Sequence, residues 1–240
     1  MQLAPDLHRI GSDLVNVYLV ADSTGVTVVD AGLSGHWPEL VEELSVMGRS
    51  LSDVRALVLT HGDTDHIGFA ERLHREVGVP VYVHPADAAR ATGQLKVKPN
   101  WGKVKVGPLV RFLWYAGRRG GLKTTYLSDV EPLPDAGTLD VPGDPRVIHL
   151  PGHSPGSVAF HFPSVDAVFV GDGLTTGHVL TGEQGPQPAP FTDDPDQALG
   201  SLSELEDLGA TWVLPGHGPP WSGGVREAVE KVWKAAGRTS

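Results

Sequence analysis

Residues 60–68 have the sequence Thr60-His61-Gly62-Asp63-Thr64-Asp65-His66-Ile67-Gly68. The apolar run that ends at Leu59 predicts a buried strand just before this stretch, and the pattern over residues 65–77 predicts a helix after it. Four side chains able to bind a metal ion therefore cluster at one strand-to-helix turn, where packing holds the backbone. A polar turn whose aspartate caps the helix is the alternative that this stretch alone leaves open.

Three later segments place the same kinds of side chain beside glycine at the end of a predicted strand. They are Pro151-Gly152-His153, Gly171-Asp172-Gly173 and Pro215-Gly216-His217-Gly218. Imidazole and carboxylate groups are ligands for zinc, iron and manganese. Four strand ends of this kind favour a shared metal site over four unrelated loops.

The composition excludes several classes of protein. The 240 residues include 40% hydrophobic and 20% charged residues, which is typical of a folded globular chain. No cysteine is present, which excludes disulfides and thiolate metal sites, and a net charge of −10 disfavours general nucleic-acid binding. No apolar run reaches membrane-spanning length and no secretory signal is visible, so we expect a cytoplasmic protein without a transmembrane segment.

Residues 94–125 differ in charge from the rest of the chain. They contain eight basic residues and no acidic ones, so eleven basic and twenty-nine acidic residues remain elsewhere, a net charge of −18. Aromatic and aliphatic residues alternate with these cations. We expect an insertion that covers the site and favours an anionic or amphipathic substrate or an anionic lipid surface. A homodimer interface, or a helix that packs one face on the core, is the alternative.

With these motifs in order, the chain resembles the metallo-β-lactamase-fold hydrolase superfamily over essentially its whole length. Asp30 matches the first motif, and residues 61–66 match the His-x-His-x-Asp-His signature except at Asp63. His153, Asp172 and His217 match the third, fourth and fifth motifs. The resemblance implies one α/β domain over residues 1–240, built as a four-layer αβ/βα sandwich. Two mixed sheets would pack face to face with helices outside and the metals at one edge.

The resemblance also assigns seven ligands to two divalent cations, with zinc as the expected metal. Three ligands would hold the first cation, three the second, and one carboxylate would bridge them: His61, Asp63 and His153; Asp65, His66 and His217; and Asp172. A metal-bound, bridging hydroxide would attack the substrate, with Asp65 and Asp172 as the catalytic residues. Asp30 is expected to orient a ligand histidine from outside the ligand set.

Asp63 is the departure from the family signature, which has histidine there. Either the ligand is lost, or a carboxylate replaces the imidazole and favours iron or manganese relative to an all-imidazole site. Two divalent cations, three aspartates and one hydroxide sum to zero charge, whereas histidine at position 63 would leave +1. The neutral centre that contains Asp63 would therefore be a weaker Lewis acid than a centre with histidine at this position.

These features predict a metal-dependent hydrolase that cleaves a small ester, lactone, thioester or related acyl bond in a small-molecule substrate. A diiron oxidoreductase on the same fold and a non-catalytic metal-binding module are the alternatives. Four further residues are candidates for the substrate pocket: His84, Tyr115, Tyr126 and His178.

Overall fold

The structure is a computed structural model that describes residues 1–238. The described residues form fourteen β-strands and six α-helices. The strands are β1 (Gln2–Ala4), β2 (Leu7–Ser12), β3 (Val15–Ala21), β4 (Val26–Val29), β5 (Val54–Val58), β6 (Val81–Val83), β7 (Glu131–Pro132), β8 (Ala136–Thr138), β9 (Arg146–His149), β10 (Val158–Phe162), β11 (Ala167–Gly171), β12 (Thr175–Gly177), β13 (Gln184–Gln187) and β14 (Trp212–Pro215). The helices are α1 (Trp37–Val46), α2 (Ala70–Val77), α3 (Ala88–Ala91), α4 (Val106–Arg118), α5 (Pro195–Ser201) and α6 (Val225–Ala235).

Two mixed sheets contain most of the strands. The first has the order β1-β2-β3-β4-β5-β6-β7, antiparallel from β1 to β4 and parallel from β4 to β7. The second has the order β14-β11-β10-β9-β8, in which only β11 and β14 are parallel. β12 and β13 form a separate antiparallel pair.

Alternate residues of β3 show how the layers stack, because successive side chains of a strand point to opposite faces. Val17 and Leu19 are buried with side chains of α1 and α2. Tyr18 and Val20 are buried instead with side chains of β10 and β11 in the second sheet. The other face of that sheet packs on α6. Helices therefore cover both outer faces of two packed sheets, and the predicted αβ/βα sandwich is confirmed.

The helix predicted to begin at Asp65 begins at Ala70 instead, so that prediction is wrong by five residues. The backbone of the preceding loop pairs with the segment after β4: Ala31 N donates to His66 O at 2.6 Å, and Gly68 N donates to Gly32 O at 2.7 Å. A Cβ on Gly68 would lie 2.3 Å from Gly32 O. These contacts hold residues 59–69 in an irregular loop, because a helix over residues 65–69 could not make them.

Every segment that carries a predicted ligand follows a strand: residues 61–66 follow β5, His153 follows β9, Asp172 follows β11 and His217 follows β14. The fold therefore brings these loops to one edge of the sandwich. Within residues 1–238, no helix has the length and apolar character needed to cross a membrane.

Candidate metal centre

Three of the predicted ligands form one compact group. Asp63 Oδ2 lies 3.8 Å from His61 Nε2 and 3.5 Å from His153 Nε2. Two atoms bound to the same tetrahedral zinc ion at about 2.1 Å are about 3.4 Å apart. The separations in this group are therefore those that a single cation requires.

Asp65, His66 and His217 form a second group, whose ligand atoms all lie within 4.8 Å of one another. His217 Nε2 is 3.5 Å from Asp65 Oδ2. Asp172 lies between the two groups: its Oδ1 is 3.6 Å from His66 Nε2, and its Oδ2 is 3.1 Å from His217 Nε2 and 3.8 Å from His153 Nε2. The structure thus brings all seven predicted ligands together, with one carboxylate in contact distance of both groups.

The Nδ1 atoms of two histidines have acceptors outside this cluster. His66 Nδ1 donates to Asp30 Oδ2 at 2.9 Å, and His217 Nδ1 donates to Leu14 O at 2.5 Å. In the neutral ring, each donation places the proton on Nδ1 and leaves a lone pair on Nε2, which points into the cluster. Asp30 therefore lies where the sequence predicts, against a candidate ligand histidine.

The other two histidines are oriented through threonine hydroxyls. Thr60 Oγ1 donates its single proton to Asp30, so it accepts from His61 Nδ1 at 3.0 Å. Thr192 Oγ1 donates to Ala189 O and accepts from His153 Nδ1 at 3.3 Å. In their neutral forms all four imidazoles therefore keep the proton on Nδ1 and direct Nε2 to the same volume, which is the tautomer that a metal ligand needs.

Several of the polar atoms that face this volume lack protein partners among the described residues. Within residues 1–238, the Nε2 atoms of His61, His66 and His153 and the Oδ1 atom of Asp172 are buried without a hydrogen bond. Each buried polar atom left unpaired costs roughly 1–3 kcal/mol. Divalent cations would satisfy all four atoms, so these residues fit a metal centre of the kind that the fold implies.

The charges of the cluster are strongly coupled. Burial alone would lower the pKa of His66, but the carboxylates of Asp30 and Asp172 outweigh it and raise that pKa to about 10. Burial is outweighed in the same way at His217, where Asp172 and Asp65 raise the pKa to about 9. The pKa of His61 falls well below its usual value because of burial and the neighbouring imidazoles. A cation bound here would displace protons, so its affinity would fall at low pH.

Arg90 forms a salt bridge with Asp63, the residue that departs from the family signature. Its Nη1 donates to Asp63 Oδ1 at 3.0 Å, and its Nη2 pairs with Asp193. Oδ1 of Asp63 is therefore engaged by the guanidinium, while Oδ2 faces His61 and His153. The pKa of Asp63 lies below its usual value: burial raises it, but His153, His61 and Arg90 outweigh burial.

Asp87 joins two of the loops that carry candidate ligands. Its buried carboxylate accepts from Gly62 N and Gly156 N, both at 2.8 Å, and from Ser154 Oγ at 2.6 Å. The first donor precedes Asp63 and the other two follow His153. One side chain therefore fixes the spacing of both loops.

A cavity of about 490 Å³ opens beside the cluster. Asp63, Asp65 and Arg90 line it. Most of the other lining side chains are apolar, and most of these come from residues 94–125, here called the basic segment: Leu95, Val97, Trp101, Phe112, Leu113, Leu122, Tyr126 and Phe191.

The four pocket candidates lie in different places. Tyr126 lines the cavity. The Tyr115 hydroxyl lies 2.7 Å from His36 Nε2 on the inner side of α4, and His178 Nδ1 accepts from backbone NH groups of its own loop. His84 donates to Asp135 at 2.7 Å and stacks on His149 rather than lining this cavity.

Sequence reasoning missed Arg90, Asp87 and Thr60. Arg90 and Asp87 lie more than twenty residues from Asp63 along the chain, and an isolated arginine or aspartate gives no signal of its own. Asp87 lies three residues after the pocket candidate His84, and the strand that precedes both gives no indication of which side chain faces the site.

A four-layer αβ/βα sandwich with a histidine and aspartate cluster at one sheet edge defines a class of metal-dependent hydrolases. The family model described as "Metallo-beta-lactamase superfamily" matches residues 10–217. The chain belongs to this superfamily, and its fold implies bound divalent metal ions.

Individual relatives agree with this assignment. The chain is 29% identical over 234 residues to the probable metallo-hydrolase YflN of Bacillus subtilis, covering 92% of this chain and 87% of that protein. The metallo-β-lactamase family protein TTHA1429 of Thermus thermophilus superposes with a TM-score of 0.69 and 26% identity, covering 98% of this chain and 80% of that one. TTHA1623, solved in a di-iron-bound form, gives a TM-score of 0.63 and 30% identity, covering 92% and 96%.

Proposed function

We propose that the protein is a dinuclear metallohydrolase that cleaves a small ester, lactone, thioester or related acyl bond. The observation that carries this proposal is the convergence of four histidine Nε2 atoms and three aspartates on one volume beside an open cavity. Two sets of side chains would each hold one cation, with a shared carboxylate between them: His61, Asp63 and His153; Asp65, His66 and His217; and Asp172.

Bound divalent cations supply Lewis acidity and bring the pKa of water close to neutrality. Asp65 is a candidate ligand that also faces the cavity, with its side chain 23% exposed, and unlike Asp63 it is not paired with Arg90, so its free oxygen can accept a hydrogen bond from the attacking water. Tyr126, on the cavity wall, can donate its hydroxyl to a substrate carbonyl oxygen. Asp30 and Thr60 keep the two imidazoles of the signature in position during the reaction.

Zinc is the metal we propose for this site, with iron as the competing ion. The carboxylate of Asp63 is a harder ligand than imidazole and shifts preference toward iron or manganese. The structural relative TTHA1623 was solved in a di-iron-bound form. Iron with redox activity would favour the oxidoreductase alternative, so metal identity must be measured together with hydrolysis.

The cavity supports a substrate with an apolar acyl group. Its volume of about 490 Å³ is typical of a small-molecule site, and most of its large lining side chains are apolar. Residues 94–125 supply much of this lining, so we propose that they cover the site within a domain that spans the chain. Esters, lactones and thioesters with medium-length acyl chains are therefore the first compounds to screen.

The test compares wild type with Asp63→Ala, using metal content by elemental analysis and hydrolysis of that panel. Asp207→Ala is the matched control, because this aspartate is fully exposed and distant from the cavity. We expect about two metal ions per chain in wild type and the control, and about one in Asp63→Ala. Hydrolysis should fall with the loss of the ion.

Two results would overturn the proposal. One is a folded wild-type protein that retains no metal after dialysis against zinc or iron, which would leave a non-catalytic module. The other is full metal content without hydrolysis of any acyl substrate. Unchanged metal content in Asp63→Ala would remove Asp63 from the ligand set.

A further inference from the structure

Exposed apolar side chains are concentrated in one short part of the surface. Twelve large hydrophobic residues are exposed within residues 1–238, and nine of them lie between Leu95 and Leu122. Single exposed hydrophobic residues are common, but a contiguous group of them marks an interaction site. We name the group on α4 the outer face and define it as Val106, Val110, Leu113 and Trp114.

The helix α4 has two apolar faces. Leu109, Phe112, Tyr115 and Ala116 pack inward on a small core that includes Leu180. The residues of the outer face lie on the other side at helical spacing, with 78% of Val106, 58% of Val110 and 63% of Trp114 exposed. The inward face is enough to hold the helix on the domain, so packing within the chain does not explain the outer face.

Basic side chains flank the outer face. Arg111 and Arg118 lie beside it on α4, and the guanidinium of Arg118 stacks over the Trp114 ring at 4.9 Å. Of the eight basic residues in 94–125, Lys105 pairs with Glu183 and Arg119 with Glu39. The other six have no carboxylate within 4.0 Å among the described residues. The patch is therefore cationic, although the whole chain has a net charge of −10.

We propose that the outer face of α4 docks on an anionic lipid surface. A helix that presents aliphatic and indole side chains between arginines is suited to the boundary between headgroups and acyl chains. The cations would remain at the level of the anionic headgroups, which attract each basic residue. A neutral or basic partner would not complement the positive charge of the patch. The acidic remainder of the chain would be repelled by the anionic surface, which leaves the outer face toward it.

The position of the outer face relative to the cavity supports this partner. Leu113 belongs to the outer face and also lines the cavity, together with Leu95, Val97 and Leu122. An apolar path therefore leads from the docked surface to the candidate metal centre. Docking does not depend on bound metal or on hydrolysis, so it can be tested even if the proposed activity is wrong.

The experiment measures co-sedimentation of the full chain with two kinds of large vesicle. One contains phosphatidylcholine alone, and the other also contains phosphatidylglycerol. Two variants remove the two components of the surface: Val110→Ser with Trp114→Ser, and Arg111→Gln with Arg118→Gln. Matched controls are Val46→Ser, a valine 69% exposed on α1, and Arg226→Gln, an exposed arginine on α6.

We expect binding to the anionic vesicles only, weakened by added salt. The double arginine variant should bind about 25-fold more weakly, because each basic residue near the surface contributes about fivefold. The Val110 and Trp114 variant should lose at least about tenfold. Both controls should bind like wild type, and circular dichroism should show that all variants are folded.

Binding to neither vesicle, or equal binding of wild type and both patch variants, would overturn the proposal. Light scattering tests the competing occupant. If wild type is a dimer, the Val110 and Trp114 variant is a monomer and vesicle binding is absent, then a second copy of the chain covers the outer face and the lipid proposal is wrong.

Discussion

Substitution of Gly216 by alanine tests the candidate metal centre without removing any ligand. A Cβ at this position would lie 2.4 Å from Asp172 Oδ1 and 2.4 Å from His66 Cε1. The backbone cannot easily move away, because Gly216 N donates to Gly171 O and Gly216 O accepts from Asn16 N. The two side chains must therefore give way.

The required shift can be compared with what a metal site tolerates. Ordinary contacts of a methyl carbon begin at about 3.4 Å, so each side chain must move by about 1 Å. Metal–ligand distances vary by only about 0.2 Å. The shift is about five times this tolerance, and Asp172 is close to both ligand groups. We therefore expect both cations to be lost or bound at least about 100-fold more weakly.

Metal content by elemental analysis, followed by competition with a chelator, measures this effect. Gly200→Ala is the control, because a Cβ there meets nothing within 4 Å and the residue lies in α5. It should keep its metal and gain slightly in stability. Wild-type metal affinity in Gly216→Ala, with a native circular dichroism spectrum, would refute the placement of His66 and Asp172 as ligands.

Three further substitutions test other parts of the structure. Asp30→Asn removes the anionic acceptor of His66 Nδ1 and should weaken metal binding by about 10–100-fold, measured by chelator competition. Asp87→Ala leaves buried donors in two loops unpaired and should lower the free energy of unfolding by roughly 3–5 kcal/mol in urea. Burial raises the pKa of Asp22, but hydrogen bonds from Thr24 and Gly143 outweigh it and hold the pKa below 3.8. Its stabilisation is therefore present above pH 3.8 and lost as the pH falls through the lowered pKa, so the stability difference between wild type and Asp22→Asn should shrink below pH 3.8.

Asp129→Asn is the control for these aspartates, because within residues 1–238 its carboxylate accepts a hydrogen bond only from Val130 N, its neighbour along the chain. It should match wild type in every assay. Unchanged metal affinity in Asp30→Asn would remove Asp30 from its orienting role. If Asp87→Ala lowers the free energy of unfolding by less than about 1 kcal/mol, water replaces the carboxylate as the partner of these donors. A stability difference for Asp22→Asn that does not depend on pH would contradict the lowered pKa.

The ligands of the candidate centre were predictable because each is local to a strand end. A strand that ends in glycine and histidine is visible in the sequence, and the order of such ends indicates which fold brings them together. The start of α2 was not predictable, because residues 65–69 have apolar spacing that suits a helix. Their backbone groups pair instead with Ala31 and Gly32, a tertiary contact that the spacing does not encode.

The basic segment shows the same limit of sequence-based prediction. Its charge and its aromatic residues were visible, but which side of α4 faces outward depends on the core beneath it. Tyr115, a candidate for the pocket, lies on the inward face and contacts His36, whereas Trp114, one residue earlier, is exposed. Successive residues of a helix are rotated by about 100°, so Tyr115 packs on the core while its neighbour Trp114 faces outward.

The contact with Arg90 changes the expected effect of Asp63 on the charge of the centre. The sequence suggests that aspartate in place of histidine makes the centre more negative by one charge. In the structure Arg90, only 6% exposed, pairs with Asp63 at 3.0 Å and also with Asp193, so its positive charge offsets the carboxylate that replaces histidine while Asp193 adds a second negative charge nearby. Substituting only one of Asp63 and Arg90 disturbs this arrangement, because the remaining buried charge loses one of its partners.

This relation predicts strong coupling between the two positions. Asp63→His alone would leave Arg90 paired only with Asp193 beside the cations, so it should lower both stability and zinc content. Adding Arg90→Met should restore both, because the centre would then have neutral imidazole at position 63 and no buried cation beside it, while the carboxylate of Asp193, whose side chain is 31% exposed, can be solvated. Urea unfolding and elemental analysis of the four proteins give the coupling free energy, which we expect to exceed about 1 kcal/mol. Additive effects would show that Arg90 does not offset the charge of Asp63, and the departure from the family signature would need another explanation.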